Sequence, residues 1–450
     1  MSNCWSRLIF TVGWGLCALA AWAQTGDINP KLNSPYSRYG LGNRVSQYFA
    51  APAGMAGMSA AFHDPYHLNI LNPAALTQLQ ATAFEVAIDT RYTNLKTEQA
   101  TDGVLSGNLQ YLALGFPLIN PLNAALDMRN SPWRFGMAFA LQPFTEVGYN
   151  LQVTSSQPGV GQTTDFLVGS GGTSRLSWSN AASYKKLSAG ATFGYMFGQL
   201  SNNRLVVFDS LPGAYFTEFL DQLSLNGFFW RFGLQYTYDF KKPDASGELK
   251  PTGKRLIIGA HGNSTSSFNT KISRFAQRRS LVYERRDTLL DGSIVEQRGQ
   301  LPSTFSLGVL YEKVNKLRLG AEIEMENWSE YFNESKPEAP LGNAWRASAG
   351  VEIIPDFQSY NSYFQRARYR FGAFYGLDPR SIDGNQLQAY GLTAGIGFPI
   401  IMTRQRISFI NLAFELGSFG LTDTLRENYV QMTLGFTLND NTWFFKRKFN

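Results

Sequence analysis

Large apolar residues alternate with small or polar ones, with a period of two, over segment after segment of this chain. Between 227 and 240, Phe228, Trp230, Phe232, Leu234, Tyr236, Tyr238 and Phe240 form one row. Gly227, Phe229, Arg231, Gly233, Gln235, Thr237 and Asp239 form the other. Trp133, Phe135, Met137, Phe139 and Leu141 alternate in the same way with Arg134, Gly136, Ala138, Ala140 and Gln142, and Phe84, Val86, Ile88, Thr90 and Tyr92 with Glu85, Ala87, Asp89 and Arg91. That period sends neighbouring side chains to opposite faces of a strand, and an unbroken apolar row needs an apolar partner.

The pattern predicts strands over 82–92, 107–117, 132–142, 174–186, 189–199, 226–240, 254–266, 301–313, 316–328, 343–354, 367–377, 387–399, 405–416 and 427–439. That makes about fourteen; 144–154 is one more unless it continues its neighbour past Pro143. Lengths near the ~9–11 residues of a tilted membrane strand favour an all-β transmembrane antiparallel barrel over a soluble sandwich. Lys186-Leu187-Ser188 and Lys313–Lys316 read as tight turns. Ser155–Thr173 and Phe268–Gln300 read as outward-facing loops, and 201–224 as an insertion with a short amphipathic helix over Ala214–Leu223.

Two of the polar rows carry charge. Arg318, Glu322, Glu324 and Glu326 alternate with Leu317, Leu319, Ala321, Ile323 and Met325, while Arg368 and Arg370 alternate with Tyr369, Phe371, Ala373 and Tyr375. An arginine facing lipid at mid-membrane costs ~2–4 kcal/mol, so these rows face the lumen. They either pair across it and fill it or line a path for a ligand.

The N-terminus sets the compartment. Arg7, the apolar run Leu8–Ala20 and the small-x-small site Ala21-Trp22-Ala23 predict a signal peptide over 1–23, cleaved before Gln24. Both cysteines, Cys4 and Cys17, fall within it, which leaves a mature chain without thiol, disulfide or Cys-ligated metal. Composition agrees with a membrane protein: of 450 residues, 14% are aromatic and only 16% charged. The formal charge of +6 is spread out, with Arg274, Arg278, Arg279, Arg285 and Arg286 set among other residue types, and gives no nucleic-acid patch. The longest uncharged stretch, Gly103–Leu126, is broken by Pro117 and Pro121 and is poor material for a membrane helix. An exported barrel of this kind points to the bacterial outer membrane, with its lipid as the surrounding medium.

Before the first strand lies Ala51–Leu79, a run of small residues followed by Asp64-Pro65 and Asn72-Pro73-Ala74-Ala75. Small side chains permit close backbone approach and the prolines forbid a continuous helix, which suits a compact irregular plug over 24–80 ahead of a barrel over 81–450. Asn72-Pro73 read alone is a turn that caps it.

Enzyme chemistry finds little support. Of three histidines, His63 and His67 flank Asp64-Pro65-Tyr66, where proline disfavours the helix that would aim both at one metal; a hydrogen-bonded turn is the better reading. His261 near Ser264 and Ser266 is the one strand candidate for a nucleophile and base. Glu322, Glu324 and Glu326 lie along a single strand with no opposing carboxylate to identify. No residue pattern calls for a cofactor.

Gly54-Met55-Ala56-Gly57-Met58-Ser59-Ala60, Asp64 and Asn72-Pro73-Ala74 resemble the N-terminal signature of FadL-type outer-membrane transporters of hydrophobic compounds. Leu301–Gly308, Gly350-Val351-Glu352 with Pro355, and Tyr369-Arg370-Phe371-Gly372 are similar to later strands of that group. Ser34–Gly40 and the ending Leu438–Phe444 with Lys446-Arg447-Lys448 resemble its Bacteroidota branch. The resemblance implies a fourteen-stranded barrel, with the residues before the first strand folded into the lumen as a hatch marked by Gly54, Gly57, Asp64, Asn72, Pro73 and Ala74. It also implies passive uptake of a hydrophobic or amphipathic small molecule that leaves sideways through the wall at a kinked strand. Pro143, which cannot donate to a strand ladder, is the candidate for that break, or else marks an ordinary turn. Barrels of the same branch also resemble accessory subunits that hold partner proteins at the outer membrane, and this is the alternative function.

Overall fold

The protein, seen in a computed structural model, is described over residues 34–97, 101–119, 131–211, 213–243, 248–280, 286–337, 340–401, 407–421 and 424–440. The expected signal peptide, both cysteines, the first ten residues of the expected mature chain, Arg285 and the ending from Asn441 lie outside these residues. The strands are β1 (Asn43–Arg44), β2 (Thr82–Lys96), β3 (Thr101–Pro117), β4 (Trp133–Gln157), β5 (Gly161–Tyr184), β6 (Leu187–Phe208), β7 (Phe216–Pro243), β8 (Leu249–Asn263), β9 (Ser266–Arg279), β10 (Arg286–Asp291), β11 (Val295–Leu301), β12 (Thr304–Lys313), β13 (Leu317–Glu326), β14 (Phe332–Asn333), β15 (Ala344–Ile353), β16 (Arg368–Ile382), β17 (Asn385–Ile401), β18 (Ile407–Gly420) and β19 (Arg426–Asp440).

Fourteen of them close a ring of antiparallel neighbours: β2 to β8 in order, then β12, β13 and β15 to β19, with β19 returning to β2. Closure leaves no end strand, the condition that hydrocarbon imposes on a sheet. The outer face carries the predicted apolar rows. Phe84, Ile88 and Tyr92, Trp133, Phe135, Phe139 and Leu141, and the whole set from Phe228 to Phe240 are exposed, Phe228 to 78%. Such a belt belongs in a bilayer. Leu234→Arg, in the middle of that row, is therefore expected to cost about 2–4 kcal/mol in a bilayer unfolding titration, while Thr237→Arg on the inward row costs less.

Each of the fourteen sequence segments coincides with a wall strand, and 144–154 is the continuation of 132–142 within one 25-residue strand, β4. Three expectations fail at the rim opposite the turns at 185–186 and 314–316, and the turn expected at Lys186-Leu187-Ser188 sits one residue earlier, with Leu187 and Ser188 already paired in β6. Ser155–Thr173 is a hairpin rather than a loop: its polar residues pair across strands, with Ser155 and Thr163 hydroxyls 3.1 Å apart and those of Thr154 and Thr164 3.2 Å apart. Ala214–Leu223 is not helical. From Phe216 onward it is the start of β7, flanked by β6 and β9, and Leu223 and Leu225 bury at a spacing of two. Phe268–Gln300 comprises most of β9, with β10 and nearly all of β11; Phe268 and Ile272 join a cluster with Leu167, Met196, Leu200, Leu223, Leu225 and Phe229. These polar strands rise beyond the apolar belt, where loop-like composition and strand geometry are compatible. One side of the barrel is consequently tall, with β7 at 28 residues, and the other short, with β12, β13 and β15 at 10 each.

Among the described residues the wall has one seam. β3 pairs with β4 only from Leu112–Pro117 to Gly136–Leu141. Just above, the β4–β5 register slips between Pro143 and Thr145, leaving Phe144 out of the ladder, as a residue without an N–H and its neighbour would. From there Phe144, Thr145, Val147, Gly148 and Tyr149 are all buried, so β4 loses its two-faced character and turns inward. Its edge is taken instead by the N-terminal segment: β1 pairs with Thr145 and Glu146, the Ser34 N–H donates to the Gly148 carbonyl at 2.8 Å, and Val45 N–H to Phe144 at 3.0 Å.

Candidate functional site

Residues 34–81 touch inward-facing positions on strands all round the ring, and small residues make this possible. Seats are cut by glycine. A Cβ at Gly259 on β8 would lie 1.9 Å from the Ala60 carbonyl oxygen, and one at Gly233 on β7 would lie 2.1 Å from Asn72 Oδ1. Opposite, Gly54 lies against Gly395 and Arg370, and Gly57 holds φ +75° where a Cβ would strike the Tyr48 ring. Asn72 caps the short turn Pro73–Gln78 by accepting from the Ala74 N–H at 3.1 Å, and its amide donates to the Ala60 carbonyl at 2.6 Å. Pro73 and Ala74 lie over Gly190 of β6.

Asp64 is the electrostatic centre. Its Oδ2 accepts from Arg368 Nη1 at 2.6 Å and Arg318 Nη1 at 2.8 Å, and its Oδ1 from His67 Nδ1 at 3.0 Å. Arg318 donates onward to Glu312 at 2.9 Å and Glu352 at 3.1 Å; Arg370 donates to Glu352 at 2.6 Å and to Asn411 at 2.8 Å. Asn411 closes the loop on His67 Nε2 at 3.0 Å. Every one of these side chains is buried, Asp64 to 1% exposure. Asp64, Glu312 and Glu352 balance Arg318, Arg368 and Arg370, so the cluster is neutral as a whole. Burial alone would raise the Asp64 carboxyl, but Arg368, His67 and Arg318 hold it well below the usual carboxylate range. Burial pushes His67 down despite Asp64, so its ring is neutral at pH 7 and fits the tautomer that donates to Asp64 and accepts from Asn411.

A second tie runs through Glu322, which accepts from the N–H groups of Ser59 at 2.6 Å and Ala60 at 2.8 Å and from the Ser306 hydroxyl at 2.6 Å. Glu326 pairs with Arg44 of β1. Glu324 faces a cavity of about 290 Å³ lined by Arg175, Arg231, Arg346, Asp378 and Glu415, among others. Thus Arg318, Arg368 and Arg370 meet at one site with Asp64, whereas Glu322, Glu324 and Glu326 step away from it. Pro143 stands apart at the seam. Its carbonyl accepts from Gln47 Nε2 at 2.7 Å.

The catalytic candidates are used structurally. His63 bonds to Gln235 at 3.3 Å and His67 to Asp64, so the two rings serve different partners. His261 faces Ser59 at 2.9 Å rather than Ser264 or Ser266. With Glu322 on the same ring nitrogen at 3.9 Å and not on Nδ1, the three do not form a relay. Sequence reasoning missed the roles of Glu312, Glu352 and Asn411, which stand in inner rows with other polar groups, Arg346 and Ser348 beside Glu352 and Glu415 beside Asn411. It also missed the glycine seats, whose signal was glycine recurring at inward positions of successive strands.

The fold is shared with known channels. The structure matches the toluene transporter TbuX of Ralstonia pickettii (TM-score 0.52, 15% identity, 88% of this chain and 99% of that one). It also matches a FadL homologue of Pseudomonas aeruginosa (0.56, 12%, 88% and 98%) and the toluene transporter TodX of P. putida (0.50, 16%, 88% and 99%). At such identities the likeness is one of fold. No curated protein matches by sequence. One family model, BamG, matches residues 6–450. On that match, which spans nearly the whole sequence, the chain belongs to the BamG family.

Proposed function

We propose that this protein is a non-transporting accessory barrel of an outer-membrane complex, in which residues 24–80 act as a fixed hatch and the signal peptide 1–23 is removed on export. The observation that carries this reading is the neutral buried cluster around Asp64, which binds the hatch to β12, β13, β15, β16 and β18 at once. Buried ion pairs that are cut off from water are costly to separate, so a hatch held this way is a permanent part of the barrel. The cavity beyond it sets arginines and carboxylates among apolar side chains such as Phe144, Trp345 and Phe374, and the charged groups oppose the passage of a wholly apolar molecule. The tall rim of β4–β7 and β9–β11 offers a surface to partners outside the cell.

Two assays decide the matter. Vesicles containing the pure barrel should admit toluene or a long-chain fatty acid no faster than empty vesicles, and gentle detergent extraction from native membranes should recover a second membrane protein in fixed ratio. A barrel recovered alone that accelerates uptake overturns the proposal.

The competing reading, passive uptake of a hydrophobic compound with lateral exit, is favoured by the seam at Pro143 and by the fold shared with named toluene transporters. Under it, deleting residues 34–48 leaves uptake intact or raises it.

A further inference from the structure

The seam leaves one strand edge bare. On one side β3 is bonded to β2 from Thr101 to Gly115, but on the other its ladder with β4 begins only at Leu112. The N-terminal segment does not fill the difference. It pairs with β4, and reaches β3 through Gln110, whose amide donates to the Tyr48 carbonyl at 3.2 Å, and Tyr111, whose hydroxyl accepts from the Ala50 N–H at 2.9 Å. Among the described residues nothing pairs with Thr101–Leu109 on that side. Yet this stretch belongs to the wall: Leu105 is 69% exposed and Leu109 46% on the outer row, while Ser106 is buried on the inner one. Backbone groups on a bare edge at this depth find no partner in hydrocarbon, at several kcal/mol each.

We propose that the free edge of β3 receives a membrane-spanning strand of a different protein, added antiparallel so that it runs in the direction of β4. The chemistry selects the occupant. Lipid tails offer neither donor nor acceptor. A second copy of this chain, sharing the same membrane orientation, would present its own β3 parallel and tilted across the first, which breaks the ladder. What fits is an extended segment with apolar residues outward and polar ones inward, the pattern of a barrel strand. The inference deepens the accessory-subunit reading by naming the surface through which the partner attaches.

The test is hydrogen–deuterium exchange on the full chain in lipid nanodiscs, with and without a synthetic peptide of six Leu-Thr repeats carrying terminal lysines. Amides within Thr101–Leu109 that point away from β2 meet the water that an unfilled seam admits, and in the barrel alone they should exchange faster than the amides of the same stretch bonded to β2. They should slow at least tenfold with the peptide, but not with one interrupted by prolines. In Gly107→Lys, where a Cβ would meet nothing nearer than the Asp89 carbonyl oxygen at 3.5 Å and the ammonium on the outer row costs up to about 2–4 kcal/mol, the barrel should still migrate as a folded species, with a lower melting point, and lose the peptide effect. Amides already protected without peptide, or no difference between the two peptides, would overturn the inference. Should the barrel be recovered alone and accelerate uptake while the edge still takes up the peptide, the accessory-subunit reading fails and this one stands.

Discussion

Replacing Asp64 with asparagine is expected to lower stability by about 3–5 kcal/mol, the usual cost of removing one member of a buried ion pair. Arg368 and Arg318 both aim a nitrogen at Oδ2, and neither has water to turn to. The amide keeps the shape but leaves three guanidiniums against Glu312 and Glu352 alone. The temperature at which the barrel loses its compact migration on a gel should fall by many degrees. Asp64→Asn combined with Arg368→Gln should recover part of the loss, because the count is again balanced; a double mutant as weak as the sum of its parts would contradict the network. The pH dependence follows from sign. A carboxyl held below its ordinary range contributes stability that is present above the ordinary pKa and disappears as pH falls through the folded one. The gap between wild type and Asp64→Asn should therefore be full at neutral pH and shrink in acid, below about pH 4.

The wall was legible in the sequence because lipid imposes one rule on every strand. The rows of β2 and β7, and that of β4 as far as Pro143, carry the period without interruption, and cost alone sends the charged rows of β13 and β16 away from lipid. Legibility stopped where lipid stops. Above the belt, Ser155–Thr173 and Phe268–Gln300 keep their strands through cross-strand hydroxyl pairs and a buried cluster, neither of which leaves an apolar row to read. The site was partly visible. Asp64, Arg318, Arg368 and Arg370 stood out as charges in apolar or small-residue surroundings. Their mutual contact was not, since residues more than 250 positions apart meet only when the barrel closes. Glu352 and Glu312 escaped because a single acid in an inner row looks the same whether it faces water or an arginine. Pro143 illustrates the opposite case: one residue whose missing N–H marks a slipped register, but whose consequence, the abandonment of β3 by β4, depends on the segment that takes its place.

Gly259→Val should be as damaging as the loss of Asp64, although it removes no interaction. Its Cβ would lie 1.9 Å from the Ala60 oxygen and 2.9 Å from the Ala61 Cα, both main-chain atoms. Residues 59–61 cannot yield cheaply. Glu322 holds the Ser59 and Ala60 N–H groups, and the Ala60 carbonyl accepts from Asn72 at 2.6 Å and Gln235 at 3.0 Å. Strand β8 is fixed just as firmly, bonded to β7 and β12 on either side. Overpacking a core usually costs 1–3 kcal/mol, and unsatisfied buried donors add about 1–3 kcal/mol more if the segment lifts away. Lifting is the expected outcome, since the wall is closed and the segment is not. Protease added to the purified barrel should then cut between Ser59 and Asn72, a stretch it cannot reach in the wild type, while the wall strands remain resistant. Gly107→Ala, where the added carbon meets only ordinary contacts, is the matched control and should leave the segment uncut. If Gly259→Val vesicles also begin to pass small polar solutes, the segment on its glycine seats is what closes this barrel. A variant that stays uncut and closed would mean that β8 gives way instead, and that the N-terminal residues are held more strongly than one strand of the wall.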